Sequence, residues 1–120
     1  MKQEAFTMSL LLDYYGSLLT EKQRNAFDLY YNQDLSLAEI AEQEGISRQG
    51  VHDTINRTEA ALLQMEKEIG CIERAENIRK VMETISGCAE TLLHHEDPTV
   101  RKNAECILSA VRSIDRKSVV

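Results

Sequence analysis

The chain has 120 residues, 42% of them hydrophobic and 28% charged, with a formal net charge of −6. This is the length of one small globular domain, too apolar for a disordered chain and too acidic for broad, charge-driven adhesion to nucleic acid. One proline, five glycines, two phenylalanines and no tryptophan leave little turn punctuation or aromatic mass for a β-rich core, so the composition points to helices.

No apolar run approaches the roughly 18 residues of a bilayer span, and no basic stretch leads into an apolar signal region, so the expected location is the cytoplasm. Cys71, Cys88 and Cys106 are odd in number and widely spaced, which suits reduced thiols better than a disulfide framework or a paired-cysteine metal site. Charge is uneven: residues 20–67 and 68–97 each carry −4, whereas 98–120 carry +3. Any contact with nucleic acid must therefore be local.

The first predicted helix, Ala5 to Leu19, has apolar residues around most of its circumference and needs cover on more than one side. Thr20 and Gln23 have capping-box spacing and open a second helix over about Glu21–Asn32, with Ala26, Leu29 and Tyr30 as its buried stripe. After the polar break Asn32-Gln33-Asp34, Ser36 and Glu39 repeat that spacing before a short helix, Leu37–Glu44, stopped by Gly45. Ser47 then caps a further helix to about Ile69, with Val51, Ile55, Thr58 and Leu62 on one face. Two helices joined by so short a turn must cross steeply, and this is helix-turn-helix geometry.

Beyond Gly70, Ile72, Ala75, Ile78, Val81, Met82 and Ile85 predict a helix ending near Gly87, followed by a run containing Leu92 and Leu93. Asp97-Pro98 starts the last helix, with Val100, Ala104, Ile107, Leu108, Val111 and Ile114 as its apolar positions. The expected organisation is an N-terminal helix plus helix-turn-helix over 1–70 and a helical dimerisation or interaction segment over 71–120, in a single compact domain overall.

Stepping along the second helix of the motif, Arg48, Gln49, His52, Asn56 and Arg57 form a polar face opposite Val51 and Ile55. Arg, Gln and Asn make paired hydrogen bonds to base edges, and Ser47 with the amides of the helix start suits a phosphate. The bland alternative is a solvated face on a motif kept for packing, in keeping with Asp53, Glu59 and the acidic residues Glu39, Glu42 and Glu44. Arg101, Lys102, Arg112, Arg116 and Lys117 offer further phosphate contacts, or balance the acidic helices. Tyr14, Tyr15, Tyr30 and Tyr31 are expected in the core rather than as stacking platforms. His94, His95, Glu96 and Asp97 lie at a polar helix end, without a second ligand pair at metal spacing. No nucleophile with a base, phosphate loop or carboxylate pair is found, so no enzyme, catalytic residue, cofactor or metal is expected.

Leu19-Thr20-Glu21-Lys22-Gln23-Arg24, Leu35 to Glu42 and Ile46-Ser47-Arg48-Gln49 resemble region 4 of bacterial sigma-70-type factors. Leu12 to Arg24, Ser47 to Asp53 and Arg57-Thr58-Glu59 resemble, more closely, the YlxM-like small helix-turn-helix proteins of Gram-positive bacteria, over about residues 8–73. The resemblance implies an all-α fold, a sigma-70 region 4-like helix-turn-helix with an N-terminal helix and C-terminal amphipathic helices. It further implies a regulatory protein placed in the signal recognition particle pathway by its gene neighbourhood. The particle's RNA, its GTPase subunit, DNA and a second copy of the chain are the implied partners. Gly50, His52 and Asn56 depart from the family's usual Ala, aromatic and Lys. Surplus apolar stripe on the first and C-terminal helices independently points to a homodimer.

Overall fold

The structure is a computed structural model that describes residues 4–118, with side chains to Ile114. It is all-α: α1 (Ala5–Tyr15), a 3-10 turn (Gly16–Leu18), α2 (Glu21–Tyr31), α3 (Leu37–Glu44), α4 (Arg48–Ile69), α5 (Cys71–Leu92) and α6 (Pro98–Ser118), with no strand among the described residues. Two compact units divide the chain, one reaching Ile72 and the other starting at Glu73.

The starts of α2 and α3 are set by reciprocal caps. Thr20 Oγ1 accepts the Gln23 N–H at 3.1 Å while Gln23 Oε1 accepts the Thr20 N–H at 3.1 Å. Ser36 and Glu39 make the same exchange at 3.1 and 3.0 Å. The Ser36 N–H holds the Glu39 carboxyl below the usual carboxylate range. Between α2 and α3 the chain turns through Asp34 at φ 57°, a left-handed conformation that aspartate tolerates better than most residues. Asn32 and Gln33 brace the turn on the Asp28 carboxylate at 2.7 and 3.0 Å.

α4 packs on α1, α2 and α3, which makes it the hub of this unit. Met8, Leu11, Leu12 and Tyr15 from α1, Phe27 and Tyr31 from α2, and Ile40 and Ala41 from α3 bury with Val51, Ile55 and Leu62. The buried stripe of α2 is Ala26-Phe27-Tyr31; Leu29 and Tyr30, expected in it, are only half-buried. Phe27 carries more apolar mass at a neighbouring angular position, and its ring lies against Tyr31 with centroids 4.6 Å apart. Thr58 is the buried polar exception among the described residues, and its hydroxyl donates to the Thr54 carbonyl at 2.7 Å. Thr54 in turn donates to the Gly50 carbonyl at 2.9 Å, so buried hydroxyls are absorbed within the helix itself.

α4 ends at Gly70, which takes φ 71° before α5 starts one residue later. Tyr15 pins this joint from α1. Its hydroxyl donates to Glu66 and accepts the Cys71 N–H at 3.0 Å, while Glu66 Oε1 also accepts the Ile72 N–H at 3.0 Å. The first two amides of α5 are thus satisfied by side chains from elsewhere.

In the second unit, α5 runs unbroken through Gly87 to Leu92, whereas the sequence pattern suggested a stop there. Gly87 keeps a negative φ, and neither a proline nor a capping pair follows it, so the residue weakens the helix without ending it. Arg79 bridges Glu76 and Glu83 along α5. α6 starts as expected, the Asp97 carboxylate accepting the Thr99 N–H at 2.8 Å. Of its apolar positions, Ala104, Leu108 and Val111 are buried, but Ile107 and Ile114 are exposed.

Burial, and then the hydrogen bond to Glu66, pushes the Tyr15 phenol up to about 12 from its ordinary 10.0. The folded state therefore binds this proton more tightly than the unfolded chain, so its contribution is complete below pH 10 and is lost as pH rises to about 12. Urea unfolding at stepped pH is expected to show that loss. Tyr15→Phe should remove this component and cost about 1–3 kcal/mol at neutral pH, because the Cys71 amide loses its acceptor.

Candidate nucleic-acid interface

The motif is built on a sharp stop and a fresh start. Gly45 closes α3 at φ 69°, and its own N–H and that of Ile46 both bond the Ala41 carbonyl, the latter at 3.1 Å. Ser47 then caps α4: its Oγ accepts the Gly50 N–H at 2.9 Å, and its carbonyl accepts the Val51 N–H at 3.0 Å. Gly50 is close against that cap, where a Cβ would meet Ser47 Oγ at 3.1 Å. Val51 and Ile55 point into the core, which turns the remaining positions of the first two turns outward.

Arg48, Gln49, His52, Asn56 and Arg57 are all exposed on this outer face, and Ser47 is exposed at its head. Arg48, Gln49 and His52 come together with Leu37 from the start of α3 around a shallow depression of about 400 Å³. Asn56 lies outside it, its amide nitrogen 3.4 Å from the His52 ring nitrogens. Neither Arg48 nor Arg57 has a hydrogen-bond or ion-pair partner among the described residues, so both guanidinium groups are free to meet an anion. Gln49 is not free: it donates to Asp53 Oδ1 at 3.0 Å, and a ligand must replace that bond to use it. Asp53 Oδ1 also lies 3.8 Å from His52 Nδ1.

The sequence reading missed Leu37 as the apolar wall of the depression, since an apolar N-terminal residue of a short helix reads as core. The Gln49–Asp53 bond has the i, i+4 spacing of a helical side-chain pair. Electrostatically the face is mixed, because Glu39, Glu42 and Glu44 are exposed on α3. Glu59 is drawn away from the face by the Tyr31 hydroxyl, which donates to it.

Outside the motif, the C-terminal cations divide. Arg101 is committed to its own loop, donating to the carbonyls of His95 and Glu96 at 2.8 Å each. Lys102 and Arg112 are exposed, and the side chains of Arg116 and Lys117 lie outside the described residues. Of the tyrosines, Tyr15 and Tyr31 are buried, Tyr30 is half-buried and Tyr14 is exposed. No helix among the described residues is long and apolar enough to cross a membrane.

A short helix closed by a left-handed glycine, a two-residue turn and a longer helix with its polar N-terminal half outward define a helix-turn-helix protein. Residues 2–99 match the UPF0122 family, described as "Putative helix-turn-helix protein, YlxM / p13 like", and the chain belongs to that family. It is 54% identical to a UPF0122 protein of Clostridium kluyveri over 78 residues, 65% of this chain and 70% of the relative. A UPF0122 protein of Thermoanaerobacter sp. is 39% identical over 116 residues, 96% of this chain and 99% of the relative. One from Geobacillus kaustophilus is 47% identical over 85 residues, 71% and 77% of the two chains.

Because Ser47 already serves as cap, Ser47→Ala is expected to lower stability by about 1 kcal/mol in chemical denaturation, whatever it does to ligand binding. An unchanged midpoint would mean that the Gly50 amide finds water instead.

Proposed function

We propose that this chain is a nucleic-acid-binding regulatory protein of the helix-turn-helix class, working in the cytoplasm as a homodimer. The observation that carries the reading is the outward, unpaired Arg48 beside His52 and Leu37 at the start of α4. There a guanidinium fork, an imidazole and an apolar side chain border an open, shallow depression that base edges can reach. Arg48, Gln49, His52 and Asn56 touch base edges; Ser47 and Arg57 hold phosphates. Lys102 and Arg112, with Arg101, Arg116 and Lys117, are secondary phosphate contacts. The family membership supports this at the level of the motif, and the resemblance to YlxM-like proteins favours the signal recognition particle RNA as the nucleic acid.

A second reading has an observation of its own. Acidic α3 borders the recognition face and would repel a duplex backbone, which favours a docking face for a protein such as the GTPase subunit of the particle. Salt separates the two readings, because phosphate contacts weaken steeply with ionic strength.

The test is fluorescence anisotropy of labelled signal recognition particle RNA titrated with the protein at low salt, in competition with mixed duplex DNA. Arg48→Ala combined with Gln49→Ala is expected to weaken binding at least about tenfold with the helical circular dichroism unchanged. Unaltered affinity would remove these residues from the interface. Arg57→Ala should reduce the slope of log affinity against log salt by about 1, and Asp53→Asn should tighten binding by removing an anion from the face. If no nucleic acid binds at low salt, the adaptor reading takes its place.

A further inference from the structure

The outer face of α4 carries the side-chain types that read base edges through paired hydrogen bonds, and the structure leaves them in different states. Gln49 gives an amide hydrogen to Asp53 Oδ1 at 3.0 Å. The Asn56 amide nitrogen lies 3.4 Å from both ring nitrogens of His52. Gln and Asn are the readers of adenine, because an amide sets one donor and one acceptor against N7 and the N6 amino group of that base. Each of these amides is engaged by a neighbour one turn away on the same helix. Arg48 differs, with no hydrogen-bond or ion-pair partner among the described residues.

A guanidinium is a planar fork of donors with no acceptor, so it matches an edge on which two acceptors sit side by side. The N7/O6 edge of guanine is such an edge. At the same place adenine sets an acceptor beside a donor, thymine or uracil offers a single acceptor, and cytosine offers a donor. The surroundings of Arg48 agree with this choice. Leu37, Gln49 and His52 line the depression with it, and none of these is acidic, although Glu39, Glu42 and Glu44 are exposed nearby in sequence on α3. No carboxylate of the lining therefore repels an electron-rich acceptor edge, and Leu37 gives the flat face of a base an apolar wall.

We infer, resting on the nucleic-acid reading above, that Arg48 is the specificity-determining residue of this site and that it selects a guanine, donating two parallel N–H bonds to O6 and N7. The major groove of an A-form RNA helix is too deep and narrow for side chains, so a guanine in RNA meets Arg48 only from a loop or bulge. In duplex DNA the same edge is open in the major groove.

The test is anisotropy of the full chain, at low salt, on two sets of labelled probes. The first is an RNA hairpin with a loop of uridines, and the same hairpin with one central guanine, adenine, cytosine or 7-deazaguanine, the last lacking the N7 acceptor. The second is a DNA duplex of A·T pairs, with and without one central G·C pair. Guanine is expected to tighten binding about tenfold over uridine, adenine and cytosine, and 7-deazaguanine to bind like uridine. A preference in the hairpins identifies unpaired RNA as the source of the base, and one confined to the duplexes identifies the DNA groove. Arg48→Lys, which keeps the charge and loses the fork, is expected to abolish the preference while affinity for the uridine loop stays within about twofold. Binding that ignores the base in both sets overturns the inference and leaves the nucleic-acid reading standing; absence of binding to every probe overturns both. A preference for adenine, an equal affinity for cytosine, whose O2 and N3 are the rival acceptor pair of an unpaired base, or a guanine preference that survives Arg48→Lys or 7-deazaguanine also overturns it.

Discussion

The first unit depends on one helix having two incompatible faces. Val51, Ile55, Thr58 and Leu62 bury one side of α4 against three other helices. Because the helical period is 3.6 residues, that burial leaves Arg48, Gln49, His52 and Asn56 no direction but outward. The outward polar face is thus a by-product of the core. Thr58 shows how strictly the packing is enforced: a hydroxyl sits at a fully buried position, and its donor is satisfied by the Thr54 carbonyl one turn back instead of by water.

The turn preceding α4 serves the same end by backbone chemistry. Gly45 can adopt the left-handed conformation without a Cβ penalty, so α3 stops after two turns and Ile46 follows directly into the Ser47 cap. The reciprocal caps at Thr20 and Ser36 place α2 and α3 with similar economy. At the far end of α4 the logic changes, because α5 starts with no cap of its own and borrows acceptors from Tyr15 and Glu66. The stop at Gly70 is thereby followed at once by a helix start whose first amide is held by a phenol 56 residues from Cys71.

This difference explains what could be read from the chain in advance. Local chemistry is written in adjacent residues, so the caps at Thr20, Ser36 and Ser47, the stops at Gly45 and Gly70 and the Asp97-Pro98 start were all legible. Gly87 was misleading because its helix-breaking tendency, about 1 kcal/mol relative to Ala, is smaller than what cooperative helix propagation on either side supplies. The α2 stripe was illegible for another reason: the stripe Ala26-Leu29-Tyr30 and the observed Ala26-Phe27-Tyr31 differ by about one residue of rotation, and only the partner surfaces decide between them. The Tyr15 bonds lie further still from sequence reasoning, since no local pattern links residues 15, 66 and 71. Among the site residues, exposure followed from periodicity, but the availability of each side chain did not. Arg48 is open, Gln49 is held by Asp53 and Arg101 by its own loop.

Availability decides what the motif can do. A face with Arg48 and Arg57 as its open cations, beside an acidic α3, cannot draw affinity from counterion release on the scale that sequence-indifferent duplex binders use. Under the proposed function its energy must come from a small number of directional contacts around the Leu37 depression, or from engaging two motifs at once. Two linked motifs raise effective concentration without adding a single charge, which compensates for weak individual contacts. An acidic chain with a cation-poor recognition helix therefore has more to gain from dimerisation than a basic one.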